Sequence, residues 1–493
     1  MALPGQYGAR GSAASGPKEG RRWLKPRVPR EQLYRLAPPR PKPERLGTHE
    51  FTDRIRQFLR NWWLWLALAA WLYSGGNWIA TMLVGIVAFI QYHASMQSHP
   101  AVYPLERDLE ADSHGLHTTI AGVTGMPLVP GNRVTIYNNG DEFYPAMLAA
   151  IESATESVTM EQYIYWDGEV GRRFAEAFSE KARKGVPVKL LLDAIGSSTL
   201  GGEIFRILEA GGCQLAWYRP IHWYTLSRAN HRDHRKSIVV DGRVAFTGGA
   251  GIGDQWLGSA ADVKEWRDVQ IGIEGPGAQA LQTGFAQNWL ASTGEIVAGP
   301  RYFPLVDPVG PVEVQTILSS PILGAGAVGT MYLLALQCAT SSLHIANPYF
   351  IPDSRVIAML SSACKRGVIV KLMIDGEHND TWWARQNSLR RYGQLLEAGV
   401  EIYEYLPTML HQKTMIVDGA WATVGTANFD NRSFALNEET NVCFHDPELV
   451  DQLWAVFLSD LPRCRRIDHE TWRRRGIWQQ MKEQWASLVE DQM

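Results

Sequence analysis

Two apolar runs stand apart from the rest of the chain. Trp62–Tyr73 (WWLWLALAAWLY) and Trp78–Tyr92 (WIATMLVGIVAFIQY) are parted by Ser74-Gly-Gly-Asn77, and a helix that crosses a bilayer needs about 20 apolar residues. Neither run suffices alone. Residues 61–92 are therefore expected to form a membrane segment, either as one long span with a polar kink or as a shallow hairpin that enters and leaves on the same side. Tryptophans at 62, 63, 65, 71 and 78 suit an interfacial belt. The competing reading is a buried pair of soluble helices. From Val134 onward strand-like runs alternate with helix-like stretches, the pattern of an α/β architecture. The pattern then recurs. Gly185-Val-Pro-Val-Lys-Leu-Leu-Leu-Asp193 returns as Gly367-Val-Ile-Val-Lys-Leu-Met-Ile-Asp375, and Leu208-Glu-Ala-Gly211 returns as Leu396-Glu-Ala-Gly399. A basic helix end, a glycine and an apolar run predict helix, C-cap turn and buried strand. Two copies predict two similar α/β domains, 130–300 and 311–462, about a pseudo-two-fold axis, with a site at their junction drawing on both.

Charge separates the tail from the body. Residues 1–60 hold fourteen Lys/Arg against five Asp/Glu, which with a net charge of −3 for the chain leaves the remainder near −12. The tail is rich in Pro and Arg without an apolar period, so it is expected to be disordered, with attraction to anionic headgroups as its sharper use. An acidic body is a poor partner for nucleic acid, which is bound mainly by Lys and Arg. The five cysteines, 213, 338, 364, 443 and 464, show no CxxC or Cys/His spacing, so neither a disulfide framework nor a zinc site is expected.

The repeats also carry the candidate chemistry. His234-Arg-Lys236-Ser-Ile-Val-Val-Asp241, followed by Gly242, is matched by His411-Gln-Lys413-Thr-Met-Ile-Val-Asp418, followed by Gly419. Each reads as strand, Asp-Gly turn, strand. Side chains at i and i+2 of a strand share a face, so one imidazole and one ammonium would meet a ligand together. That suits a phosphodiester. Lysine neutralises a non-bridging oxygen, while two facing imidazoles divide the work: one attacks phosphorus to give a phosphohistidine, the other protonates the leaving alkoxide and then serves as base. Asp241 and Asp418 are catalytic candidates and, heading their turns, equally turn formers.

The paired motifs resemble those of the phospholipase D superfamily. Gly425-Thr-Ala-Asn-Phe-Asp-Asn-Arg-Ser-Phe434, Leu436-Asn-Glu-Glu439, Trp266-Arg-Asp268 and Ile273-Glu-Gly-Pro276 are similar to runs in bacterial cardiolipin synthases, over roughly residues 130–460. The resemblance implies a centre of His234, Lys236, His411 and Lys413, with Asn428 and Thr426 at the substrate phosphate and Asp268 and Glu439 orienting the imidazoles. It further implies His234 as nucleophile and His411 as acid/base. Glu439 is expected to support the protonated His411. No metal or other cofactor is implied; the substrate would be phosphatidylglycerol, two molecules giving cardiolipin and glycerol at the cell membrane. Hydrolysis by a phospholipase D is the alternative outcome.

Three features depart from a symmetric pattern. Gly248-Gly-Ala-Gly251 ends in glycine where the family usually has asparagine, which removes an amide from the first copy. The first copy also has eleven extra residues, Ile221–His231, aromatic and basic, suited to contact with a lipid or to packing on the body. In 463–493, Trp478, Met481, Trp485 and Leu488 share a helical face after Arg473-Arg-Arg475. This basic amphipathic helix is expected either to lie on a membrane or to dock on the domains.

Overall fold

The computed structural model describes residues 62–95, 114–220, 230–321 and 326–486. The basic tail and most of the eleven-residue insertion lie outside the described residues. The chain divides into two units, residues 1–95 and 96–493.

In the first unit the apolar runs form two helices, Trp62–Ser74 and Trp78–Ser95, that pack against each other. The expectation of one long span is corrected here. Gly76 adopts φ +76°, a conformation that ends a right-handed helix, and the Asn77 side chain accepts from the Ala80 N–H to start the next one. No helix among the described residues is long and apolar enough to cross a membrane. The pair nevertheless leaves Trp71, Trp78, Ile79, Met82 and Leu83 exposed.

The second unit is built on one continuous sheet. The first repeat supplies β1 (Val129–Asn138), β2 (Val158–Gln162), β3 (Val188–Asp193), β4 (Gln214–Tyr218), β5 (Lys236–Val240), β6 (Val244–Gly248) and β7 (Val269–Glu274). The second supplies β8 (Val312–Ser319), β9 (Ser342–Ala346), β10 (Ile369–Asp375), β11 (Glu401–Tyr405), β12 (Thr414–Val417), β13 (Trp421–Gly425), β14 (Glu439–Phe444) and a closing edge strand, β15 (Cys464–Ile467). Outward from the centre the first half runs β1-β7-β6-β5-β2-β3-β4 and the second β8-β14-β13-β12-β9-β10-β11-β15. The order is the same in both. At the seam β1 and β8 pair antiparallel, which relates the halves by a local two-fold.

Several of these strands are buried on both faces, so that polar residues such as Thr159, Glu161 and Lys189 are enclosed along with the apolar ones. Alternate residues serve different layers. Ile238 and Val240 of β5 join a core within the first half, while Val239 joins a core that also holds Ile416, Ala422, Val424 and Val442 of the second. The two repeats thus share apolar packing across the seam as well as a sheet.

The C-terminal segment docks and exposes at once. Helix Ile477–Ala486 lies along helix Trp382–Glu397 through Gln479 to Gln386 and through the Ala486 carbonyl to Asn387. Arg475 pairs with buried Glu483 at 2.9 Å. Its other face, with Ile477, Trp478, Met481 and Trp485, stays uncovered.

Candidate active site

His234 and His411 immediately precede the hairpins β5–β6 and β12–β13, and each is held by the opposite half. The His234 N–H donates to the Glu438 carbonyl at 3.0 Å, and the Glu438 N–H to the Arg232 carbonyl at 2.9 Å. The symmetric pair is the His411 N–H to Arg267 at 2.7 Å and the Arg267 N–H to Met409 at 2.9 Å. Buried ion pairs fasten both crossings: Arg235 to Glu438 at 3.0 Å, and Arg267 to Asp460 at 2.9 Å, with Gln412 on the same aspartate. Breaking either would strand a buried charge. Asp193, at the end of β3, accepts the Asp233 N–H at 3.0 Å; Asp375, at the end of β10, takes the Leu410 N–H. The peptide before each histidine is therefore pinned from below.

This crossing decides which carboxylate serves which imidazole. Glu439 lies 3.0 Å through both oxygens from Nδ1 of His234, and Asp268 lies 2.7 Å from Nδ1 of His411. The expectation that Glu439 supports His411 is corrected: strand pairing at the seam carries each carboxylate to the other half's histidine. An ionised carboxylate only accepts, so each Nδ1 carries the proton and each Nε2 keeps its lone pair. The carboxylates are themselves fixed. Thr426 Oγ1 and Asn437 Nδ2 donate to Glu439 at 2.5 and 3.3 Å. Trp256 Nε1 and the Val269 N–H donate to Asp268 at 2.9 and 2.8 Å.

The lysines complete a cationic floor. Lys236 Nζ donates to the His234 carbonyl at 2.9 Å, and Lys413 Nζ to that of His411, lying 3.1 Å from His411 Nε2. Tyr163 packs edge-on against His234 with ring centroids 5.1 Å apart; Trp256 and Trp266 flank His411 at 5.3 and 5.4 Å. Burial, seconded by the neighbouring ammoniums and opposed by Glu439 or Asp268, pushes both imidazoles down to about 4. Burial likewise lowers Lys236 to about 7 and Lys413 to about 8. For Glu439 burial would raise the carboxyl, but His234, Lys236 and Thr426 hold it at about 2. At neutral pH the site thus holds two neutral imidazoles over two ionised carboxylates. One neutral imidazole is what nucleophilic attack needs.

Asp241 and Asp418 are elsewhere, which corrects their place among the catalytic candidates. Each stands at the far end of its strand from the histidine, because five and four residues of β5 and β12 intervene. Asp241 accepts the N–H groups of Thr155, Glu156 and Ser157 at 2.9, 2.8 and 2.9 Å; Asp418 accepts those of Thr340, Ser341 and Ser342 at 2.8, 2.7 and 2.7 Å. Both sit at positive φ, +53° and +54°, in the left-handed region where aspartate is among the better-tolerated side chains. Their carboxylates tie the hairpin turn to the neighbouring loop.

Asn428 is buried in the second half, and its Oδ1 has no hydrogen-bond partner among the described residues. Its counterpart Gly251 is locked by packing: a Cβ there would lie 2.8 Å from Ile164 Cβ. The missing amide therefore reflects a closed apolar contact rather than an open gap. Of the eleven extra residues, Asn230 and His231 are described, and both clasp the second half, through Arg432 at 2.7 Å and the Leu436 carbonyl at 3.1 Å. Sequence reasoning missed Tyr163 and Trp256, which meet the site only through the fold, and quoted Trp266 and Asn437 within family-like runs without giving them a role. It quoted Asp193 and Asp375 as repeat ends without giving them a role, although their recurrence was the signal.

Among the described residues no three His, Cys, Asp or Glu side chains converge as a metal site. A family model described as "Cardiolipin synthase, PLD-like domain" matches residues 147–287 and 332–461, one histidine–lysine pair in each. A cardiolipin synthase of Geobacillus sp. (strain WCH70) is 36% identical over 354 residues, covering 71% of this chain and 70% of the relative. One of Listeria welshimeri serovar 6b is 32% identical over 368 residues, covering 74% and 76%. A crystal structure of phosphatidylserine synthase from Haemophilus influenzae Rd KW20 shares the fold, with a TM-score of 0.59 and 14% identity over 77% of this chain and 98% of that one. With two matched segments, a histidine in each, and relatives 32–36% identical over 71–74% of this chain, the chain belongs to the cardiolipin synthase family of phospholipase D-like proteins.

Proposed function

We propose that the chain is a phosphatidyltransferase that joins two phosphatidylglycerol molecules into cardiolipin and releases glycerol. The observation that carries this reading is the crossed pairing of two imidazoles, through Nδ1, with buried carboxylates, with a buried lysine two residues after each histidine. In the first step His234 Nε2 attacks phosphorus, the bond from phosphorus to the glycerol oxygen breaks, and that oxygen takes a proton from His411. In the second step a hydroxyl of another phosphatidylglycerol gives its proton to His411 and attacks phosphorus. The nitrogen–phosphorus bond breaks, cardiolipin leaves, and His234 regains its lone pair.

Charge supplies the proton that His411 needs. Once the bound phosphodiester monoanion has drawn Lys236 and Lys413 to their protonated forms, two ammoniums balance Glu439 and Asp268 and the set stands at −1 until His411 takes up a proton. Binding itself therefore favours the acid form beside Asp268. Lys236 and Lys413 would meet the non-bridging oxygens, where charge accumulates in the transition state.

The membrane reading is part of the proposal. Helices Trp62–Ser74 and Trp78–Ser95 would sit as a hairpin in the bilayer, which covers the apolar side chains that they leave exposed. Trp382 and Trp383 are 44% and 42% exposed at the start of the helix on which Ile477–Ala486 docks. Together with Trp478 and Trp485 they would rest in the headgroup layer.

The test is to incubate the full-length protein with phosphatidylglycerol vesicles. Cardiolipin and glycerol in equal amounts are expected; phosphatidic acid alone would make the enzyme a hydrolase. A His411→Ala variant given a substrate with a good leaving group should load and keep the phosphatidyl group, found by mass spectrometry on the peptide holding His234. Label on His411 in a His234→Ala variant, with none in the converse, would reverse the division of labour.

A further inference from the structure

The two halves differ where their matching segments meet. Tyr165 bridges Ile252 in the first half, and Phe350 bridges Phe429 in the second. The residues just before these bridges are therefore neighbours: Ile164 with Gly251, and Tyr349 with Asn428. The first pair is an apolar contact too tight for a side chain on Gly251. The second is polar, a phenol beside an amide. Tyr349 donates its hydroxyl to the Asp380 carboxylate. Asp380 is exposed, in the segment that joins β10 to helix Trp382–Glu397. Its charge acts on Lys413 of the second half and on Tyr163, which packs against His234 in the first. Through Tyr349 it is tied to the segment that pairs beside Asn428, in the half that carries His411.

A carboxylate is out of place in a pocket for a phosphodiester, since it repels the anion that the lysines attract. Phosphate oxygens accept hydrogen bonds, and so do the Asp380 carboxylate and the unpartnered, buried Asn428 Oδ1. Neither oxygen can be satisfied by a phosphodiester, whereas both can be satisfied by hydroxyl groups. An ammonium group would answer the carboxylate too, but it would have to sit near the charge of Lys413.

In-line displacement fixes where the hydroxyls are. With His234 attacking, both the leaving and the entering alcohol lie across phosphorus, on the His411 side, in the half that carries the polar set. We propose that Asp380, Tyr349 and Asn428 form the alcohol subsite and select a polyol headgroup of the glycerol type by binding its hydroxyls. This deepens the phosphatidyltransferase reading and rests on it. Water and a monohydric alcohol can react at the same place but cannot bridge the Asp380 carboxylate and the buried Asn428 Oδ1 together, so selectivity between alcohols is the signature.

The experiment follows transfer of the phosphatidyl group from phosphatidylglycerol vesicles to labelled glycerol, ethanol and ethanolamine by the full-length protein, Asp380→Asn and Tyr349→Phe. The ratio of kcat/KM for glycerol to that for ethanol should fall about tenfold or more in Asp380→Asn, largely through KM for glycerol, and less in Tyr349→Phe. Asp380→Glu should recover part of the ratio. An equal fall for both alcohols would mean that Asp380 acts only on structure or on His411, and an unchanged ratio would remove it from the subsite; either overturns the proposal. So would a wild-type preference for ethanolamine over glycerol. If the wild type transfers to no alcohol, the phosphatidyltransferase reading fails and this one with it. Exchange that survives intact in Asp380→Asn defeats the subsite alone.

Discussion

Replacing Glu439 by Gln removes one charge and almost no volume from the seam. Four donor contacts converge on this carboxylate: Nδ1 of His234 at 3.0 Å from each oxygen, Thr426 at 2.5 Å and Asn437 at 3.3 Å. Gln offers one acceptor oxygen and an NH2. The Thr426 hydroxyl can turn to accept from that NH2. If the NH2 faces His234 instead, the imidazole must move its proton to Nε2 and lose the lone pair that attacks. Even in the favourable orientation the positive ring of the phosphohistidine loses its counter-charge. At about 4 Å and an effective dielectric constant of about 20, that interaction is worth ~4 kcal/mol, or about a thousandfold in rate. The expected result for Glu439→Gln is a fall in kcat of about a hundred- to a thousandfold with KM changed by no more than about threefold, because Lys236 and Lys413 remain. Initial rates of cardiolipin formation, with thermal unfolding to confirm the fold, give both numbers. A kcat within about tenfold of wild type, or a loss carried mainly by KM, would refute the assignment of Glu439 to the nucleophile. Asp268→Asn should instead impair the acid, and should therefore be partly spared in the first step by a substrate whose leaving group needs no proton.

Asp241→Ala and Asp418→Ala should each lower stability by about 2–4 kcal/mol, since three backbone N–H groups lose their acceptor, while kcat per folded molecule stays near wild type; urea titration and active-site counting separate the two. Gly251→Ala should cost about 1–3 kcal/mol by overpacking against Ile164, read as a lower denaturation midpoint, and equal stability would show that the contact gives way freely. The lysines set an alkaline limit. Held at about 7 and about 8 against an ordinary value of 10.5, Lys236 and Lys413 lose their protons early, and an anionic substrate must draw them back. From pH 7 to 9 kcat/KM should therefore fall, approaching tenfold per pH unit for each proton regained. The stability contribution has the opposite sign: the unfolded chain binds more protons between about pH 7 and 10, so these two lysines make folding more favourable as pH rises through that window. A pH–rate profile flat to pH 9 would contradict the lowered lysines.

What was legible in the sequence is what repeats or alternates. The α/β pattern, the recurrence of Gly185–Asp193 in Gly367–Asp375, and the same-face placement of histidine and lysine follow from local periodicity. Partnership across the seam does not. Asp268 is nearer in sequence to His234 than to His411, yet it serves His411, because strand register at the crossing outranks chain distance. Tyr163, Trp256 and Trp266 read as ordinary core aromatics until the fold sets them against the imidazoles. For Asp241 and Asp418 the spacing left catalysis and turn formation equally open, and the turn, with its positive φ and three waiting N–H groups, is the role that the structure gives them.

The seam also explains why neither half could act alone. A lone first repeat would keep His234 and Lys236 but lose Glu439, so its imidazole would have no partner to fix the tautomer. It would also expose the edge of β1 and the apolar face that now packs on Ile416, Val424 and Val442. Folding and chemistry are thereby joined at one interface. A site symmetric in every detail would let either histidine attack, and the leaving alcohol would have no preferred side. The departures from symmetry resolve this: Gln412 stands where the first half has Arg235, Asp268 where the second has Glu439, and Ile164 with Gly251 where the second has Tyr349 with Asn428. The Ile164–Gly251 contact of the first half is closed and apolar, whereas its counterpart in the second half, Tyr349 with Asn428, is polar. On the proposed mechanism the polar side would take the exchanging alcohol.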